Sequence, residues 1–410
     1  MFLPAIQEML AAVAVIACLA FVAGQMVAVR RARASGQRLA SLSVYYGWYC
    51  GLGAALPALL VGLTGWILPI SQLALQIALP LTALAGAIFT FARIRPGLQT
   101  QSRVEDLIHG LLVASGSVAV LITVGILLSL IFETITFFSS PGVSISEFFF
   151  GLEWSAQTSA SFGAVPLFFG TFFVAAIAIL VAAPVGFLSA IYMAEYATPR
   201  QRRLIKPVLE ILAGIPTVVY GFFAILIVAP LVRMLGESLN LFLERITGYP
   251  DLIAAQPKSA LAAGLVMGIM IIPFISSLSD DVIRTVPVKL KNGALGIGAT
   301  RSEVMKDIVL PAAFPGLMAA LLLAVSRAIG ETMIVVMAAG ERANLTLNPF
   351  EDVTTVTVQI VALLTGDPEF NSPRTLSAFA LGALLFAITL IFNMVAQWVV
   401  DRQKSRYAGI

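Results

Sequence analysis

Nine stretches of this chain are apolar for long enough to cross about 30 Å of hydrocarbon as α-helices. They run approximately over 4–29, 44–68, 71–92, 107–133, 166–192, 207–232, 259–279, 312–340 and 377–400. Of the 410 residues, 59% are hydrophobic and 11% charged, where a soluble domain carries about a quarter charged. Such a chain has too little polar surface to cover itself in water, so a bilayer is its solvent. The first stretch has neither a basic n-region nor a clean small-residue cleavage site, and reads as a retained span rather than a signal peptide.

Orientation follows from the cations, which accumulate on cytoplasmic loops. Segment 30–43 holds Arg30, Arg31, Arg33 and Arg38, and segment 93–106 holds Arg93, Arg95 and Arg103. Segment 193–206 holds Arg200, Arg202, Arg203 and Lys206. Segment 280–311 holds Arg284, Lys289, Lys291, Arg301 and Lys306, and the tail holds Arg402, Lys404 and Arg406. These segments alternate with basic-poor loops, and 134–165 has no Lys or Arg. Nine spans satisfy the rule at every turn, with the N-terminus outside and the C-terminus in the cytoplasm. Eight or ten would put a basic run on the wrong side. The tightest joint is between 44–68 and 71–92, around Pro69. The expected fold class is an all-α polytopic membrane protein. Residues 1–106 hold three spans and no chemical motif; residues 107–410 hold six, with the chemistry in the last five.

Several function classes have no residues to support them. Cys18 and Cys50 both sit in apolar stretches and read as small core residues, without a disulfide. A single histidine, His109, cannot build a metal site and reads as structural. There is no Gly-x-x-x-x-Gly-Lys-Ser/Thr loop to cradle ATP phosphates, no nucleophile–base constellation and no paired carboxylates for a catalytic cleft. The chain is therefore expected not to be an enzyme, to carry no cofactor or metal, and to bind no nucleic acid.

Segment 280–311 is too long and too patterned for a connector. Thr300-Arg-Ser-Glu303 is a capping box that starts a helix, and Pro311 is expected to end it. Val304, Met305, Ile308 and Val309 share one arc of the wheel; Ser302, Glu303, Lys306 and Asp307 share the other. Gly296 and Gly298 just before the cap permit a sharp corner. The pattern fits either a helix docked in a partner's groove or one lying on the membrane surface, and periodicity does not separate them.

Arg327 and Glu331 lie four residues apart inside the eighth span, where one helical face would let them pair. An intramembrane Arg costs roughly 2.5–3.5 kcal/mol, so the pair reads as the wall of a polar pathway or as a buried lock between helices. Gly316, Ala320, Ala324 and Ala338 form a small-residue stripe on the same face. Gly214-Ile-Pro216-Thr217-Val-Val-Tyr220-Gly221 should break or kink the sixth span, either for packing or to free N–H groups for an anion. Glu210 at its cytoplasmic end reads as an interfacial, structural acid, with Lys206 four residues before it as one available partner.

Asn292-Gly293-Ala294, then Gly298, Ile308 and Leu310-Pro311 at their spacings resemble the EAA loop of ABC importer permeases, that family's docking element for its ATP-binding subunit. Asn292 stands where the family usually has Glu, and Gly293 where it has Ala. Pro166 to Thr171 running on through Ala182–Gly186 to Ala190–Tyr196, Ile215–Gly221, and Arg327-Ala-Ile-Gly330-Glu331-Thr332-Met333 resemble the phosphate-specific, PstC-type permeases. The resemblance implies a type I ABC importer transmembrane domain over about 166–400, with coupling loop 292–311. It implies a multi-pass bacterial inner-membrane subunit that moves inorganic phosphate by alternating access. Arg327, Glu331, Thr332, Pro216, Thr217 and Tyr220 would line the pathway. Asn292, Gly293, Ala294, Gly298, Thr300, Glu303, Ile308, Leu310 and Pro311 would form the coupling loop. The implied partners are an ATP-binding subunit dimer carrying ATP and Mg, a second, PstA-type permease, a periplasmic phosphate-binding protein and membrane lipid. Phosphonate, sulfate or molybdate remain alternative substrates. An ion-coupled secondary transporter would leave the EAA-like loop unexplained. Residues 1–106 extend beyond the family's usual N-terminus.

Overall fold

A computed structural model of the chain describes residues 2–67, 72–156, 160–249, 255–366, 369 and 371–407. The joint at Pro69 lies outside the described residues. Among those described, nine helices are long and apolar enough to cross a membrane. The chain divides into two compact units, Met1–Gly125 and Ile126–Ile410.

The first unit contains α1 (Phe2–Ser35), α2 (Ser43–Ile67), α3 (Gln72–Arg93) and the start of α4 (Thr100–Phe138). Small residues bring its helices together, since lipid offers no hydrophobic drive between apolar surfaces. Ala28, Ala54, Ala58, Ala83 and Ala87 are buried, and a Cβ on Gly86 would run into the backbone of Gly53. At the cytoplasmic end the Tyr46 hydroxyl lies 2.8 Å from the Leu98 carbonyl, and the Ala40 N–H donates to the Pro96 carbonyl at 2.9 Å. Cys18 is exposed and Cys50 buried, and neither is in a disulfide.

In the second unit α4 leads to a short α5 (Ile145–Phe150) and a two-stranded hairpin. There β1 (Trp154–Ser155) pairs antiparallel with β2 (Ser161–Phe162), Trp154 opposite Phe162. Phe137, Phe148, Trp154 and Phe162 bury one another there, with edge-on ring pairs such as Phe137–Phe162. Next come α6 (Val165–Ile191), a π turn (Tyr192–Tyr196), α7 (Pro199–Ala213) and α8 (Thr217–Phe223). A second π turn (Ala224–Val228) joins α8 to α9 (Ala229–Thr247). The core is built on α10 (Ala260–Thr285) against α6. Gly264 faces Ile177, Gly268 the Ala178 carbonyl, and Gly186 the Ile275 side chain. Then follow α11 (Val288–Gly296), α12 (Arg301–Glu303), a third π turn (Val304–Val309), α13 (Leu310–Ile329) and α14 (Met333–Ala338). The last helices are α15 (Val356–Gly366) and α16 (Pro373–Tyr407).

Three expectations need correction. The span placed at 207–232 begins at Thr217, because Gly214 caps α7 and Pro216, which lacks an N–H, starts α8. The residues before it form α7, an amphipathic helix with no fully buried residue. The span placed at 312–340 stops at Ile329 with Gly330 as its C-cap, and the chain re-enters a helix at Met333. Pro311 does not break its helix: it falls at the first turn of α13, where the preceding π turn has already shifted the hydrogen-bond register.

Candidate functional site

The cytoplasmic corner forms from local sequence. Helix α11 ends at Gly296, and the chain turns through Gly298 at φ +100, a conformation that disfavours any side chain. Thr300 and Glu303 form the expected capping box: the Thr300 N–H donates to Glu303 Oε2 at 2.7 Å, and the Glu303 N–H to Thr300 Oγ1 at 3.3 Å. Val304, Met305 and Val309 are buried, with Ile308 half-buried beside them. They pack on Ala190, Ile283, Ala294 and Ala313 of this same chain. The apolar arc is thus consumed internally and is not a face for a partner's groove. What faces out is the corner itself: Asn292, Gly293, Gly298, Thr300 and Glu303 are exposed, as is Ile297 at 89%. Leu310 and Pro311 are half-buried. Lys291 pairs with Glu195 in the first π turn, tying the corner to the end of α6.

A second tie holds α7. The Asp280 side chain is fully buried and meets Arg202 at 2.6 Å and Lys206 at 3.8 Å; Lys206 also reaches Asp281 at 3.0 Å. Lys206 therefore pairs across to α10 rather than with Glu210. Sequence reasoning missed Asp280 because it ended the seventh span at residue 279 and put Asp280 in the loop beyond, whereas α10 runs on to Thr285. Four cations on 200–206 opposite two adjacent carboxylates were the available signal.

At mid-span, Arg327 and Glu331 do not pair. A pair four residues apart needs an unbroken helix, and α13 ends between them. The Glu331 carboxylate instead accepts from the N–H groups of Met333 and Ile334, at 3.1 and 3.4 Å, and so starts α14. The Glu331 carbonyl accepts from the Thr357 hydroxyl at 3.0 Å. Arg327 is exposed on the chain's own surface, its guanidinium 3.7 Å from Met270 Sδ and 5.9 Å from the Phe274 ring centre. Neither was foreseen as its neighbour. Met270 and Phe274 lie about 15–21 Å along α10, near its middle, so the cation sits deep in the membrane. It makes no ion pair among the described residues. A sulfur atom and an aromatic face offset only part of the cost of that charge.

The remaining pathway candidates gather around the two helix breaks. Pro216 is the exposed N-cap of α8, Thr217 follows it half-buried, and the buried Tyr220 donates to the Leu212 carbonyl at the end of α7, at 2.9 Å, a carbonyl that also accepts from the Ile215 N–H at 3.3 Å. Thr332 is half-buried at the start of α14. Helices α8 and α14 pack together: a Cβ on Gly221 would lie 2.5 Å from Met337 Sδ and 3.4 Å from the Met333 carbonyl. Ala320 and Ala324 on α13 are buried and Gly316 lies against Val282, but the break at Gly330 puts the buried Ala338 on α14, so the expected stripe does not continue on one helical face. In the outer loop after α14, burial pushes the Asp352 carboxyl above the usual carboxylate range, with Arg342 opposing.

Residues 182–406, more than half of the chain, match the family described as the binding-protein-dependent transport system inner membrane component. The chain belongs to that family. It is a multi-pass inner-membrane transport component with the family's all-helical transmembrane fold. Residues 10–79 match a second family, described as phosphate ATP-binding cassette transporter. The probable ABC transporter permease protein YqgH of Bacillus subtilis is 31% identical over 307 residues, 74% of this chain and 94% of that protein. The phosphate transport system permease protein PstC of Mesorhizobium japonicum is 34% identical over 279 residues, 66% of this chain and 84% of its own length. Among solved structures, a bacterial ABC transporter involved in the import of alginate is 18% identical, with a TM-score of 0.48, covering 73% of this chain and 98% of that one.

Proposed function

We propose that the chain is the permease subunit of an ATP-driven importer of inorganic phosphate. The observation that carries the reading is Arg327, exposed at mid-depth of the membrane and paired with no carboxylate among the described residues. A guanidinium donates two parallel hydrogen bonds to phosphate oxygens, and a charge not already neutralised by an acid can neutralise a passing anion. The phosphate permeases among the relatives support this substrate over other oxyanions. Energy enters from a separate ATP-binding subunit pair at the corner of Asn292, Gly293, Ala294, Gly298, Thr300, Glu303, Ile308, Leu310 and Pro311. A second permease covers the Arg327 face, and a periplasmic binding protein delivers phosphate. This chain itself hydrolyses nothing.

The test is ATP-dependent phosphate uptake by proteoliposomes holding the reconstituted complex. Arg327→Gln should abolish uptake while the complex still assembles and hydrolyses ATP. Uptake of sulfate or molybdate in preference to phosphate, or wild-type phosphate uptake by Arg327→Gln, would overturn the assignment.

A further inference from the structure

The first unit carries a groove that the transport reading does not use. It has a volume of about 570 Å³ and is lined by α2, α3 and the start of α4. Its floor exists because small residues hold α2 and α3 together: Gly53 and Gly86 nearly touch, and Ala85, Thr82 and Thr90 fill little space beside them. Its walls are apolar, with Leu52, Leu56, Phe89 and Leu107 among them. From Tyr49 to Pro57 it follows α2 for about 12 Å, from near the cytoplasmic end towards the middle of the span.

The polar end is one-sided. Arg103 stands at the start of α4 and lines the groove. It makes no ion pair or hydrogen bond among the described residues, the nearby Glu105 accepting instead from Gln101 at 3.0 Å. Arg93 lies on the same side, its guanidinium 4.2 Å from the ring centre of Phe89, which itself lines the groove. Both arginines are exposed. The rim is fixed in place: the loops before α2 and α4 are bonded to each other through the Ala40 N–H and the Pro96 carbonyl at 2.9 Å, Arg31 of α1 donates to the Ile94 carbonyl, and the Gln101 N–H in the first turn of α4 donates to Ser41 at 3.3 Å.

A deep apolar groove with cations at its cytoplasmic mouth has the charge and polarity pattern of one molecule lying along it. We propose that it holds an anionic phospholipid of the cytoplasmic leaflet, one acyl chain against Leu52, Leu56 and Phe89 and the headgroup phosphate on Arg103 and Arg93. A helix from another protein could fill the apolar length, but it would need carboxylates of its own at the cytoplasmic end to match Arg103 and Arg93, whereas an anionic lipid carries chain and charge in one molecule.

The test uses the intact chain purified with its partner subunits, stripped of lipid in detergent and titrated with dioleoyl phosphatidylglycerol or dioleoyl phosphatidylcholine. Bound lipid is read by native mass spectrometry. Wild-type protein should keep one phosphatidylglycerol at least tenfold more strongly than phosphatidylcholine. Arg103→Gln should cut that preference about threefold, and Arg103→Gln with Arg93→Gln should remove it. Ala85→Phe, which fills the groove from an exposed position, should lose the bound lipid while the complex stays assembled. Inorganic phosphate at 100-fold excess should not displace it, which separates a lipid headgroup from a free anion. Equal retention of the two lipids by wild type, unchanged retention in Ala85→Phe, or displacement by phosphate would each overturn the proposal.

Discussion

Gly298 offers a controlled test of the cytoplasmic corner, because Gly296 stands two residues away with a different backbone. At φ +100 Gly298 occupies a region closed to ordinary side chains, whereas Gly296 is the last residue of α11. A Cβ on either would meet nothing within 4 Å, so packing does not enter the comparison. Gly298→Ala therefore reports backbone strain alone, about 2 kcal/mol for an L-residue held at positive φ. Gly296→Ala should be neutral or stabilising by roughly 0.5–1 kcal/mol, since alanine favours helix. If docking must restore the native corner, about 2 kcal/mol is a roughly thirtyfold loss of affinity for the ATP-binding subunit. The assay is that affinity, measured with purified permease, alongside the ratio of ATP hydrolysed to phosphate taken up. Gly298→Ala should weaken docking and raise the ratio, with the helices still folded by circular dichroism. Equal behaviour of the two alanine variants would refute the argument.

Arg202→Ala should cost about 3 kcal/mol by leaving the buried Asp280 with only the more distant Lys206, lowering the thermal midpoint by roughly 3–5 °C; a shift under about 1 °C would mean that Asp280 is solvated. Glu331→Gln keeps an oxygen for the Met333 and Ile334 N–H groups and should leave the midpoint nearly unchanged, whereas Glu331→Ala should lose about 1 kcal/mol. Because burial raises the Asp352 carboxyl, the folded state favours its protonated form. Its contribution to stability is greatest below the ordinary carboxylate range and is lost as pH rises through the raised value. A thermal midpoint followed from pH 4 upward should show that decline, and Asp352→Asn should flatten it.

The spans were legible because membrane thickness sets a length that apolar runs must meet, and α2 and α3 fall where that criterion puts them. The break at Gly214–Pro216 was legible because proline removes a backbone donor. The break at Gly330 was not: a single glycine inside an apolar run is a weak signal, and its effect depends on Glu331 turning back onto the next two N–H groups. That is why a pairing of Arg327 with Glu331 looked sound in sequence and fails in space. The contacts of Arg327 and Lys206 were out of reach for a different reason, since Met270, Phe274 and Asp281 lie more than fifty residues away in the chain. Helix α15 is too short to span and left no mark on a search for spans. The capping box needed only four consecutive residues and was fully readable.

The run from α12 through the π turn into α13 is helical without interruption from Arg301 to Ile329, with Pro315 inside it. It behaves as a lever. Arg301 and Arg327 are 26 residues apart along it, about 39 Å at the helical rise. A tilt of about 5° imposed at the cytoplasmic corner then carries the guanidinium sideways by roughly 3 Å, the full length of a hydrogen bond. On that arithmetic, and under the proposed function, a small rotation by a docked ATP-binding subunit would be enough to make or break the hold of Arg327 on an anion at mid-membrane.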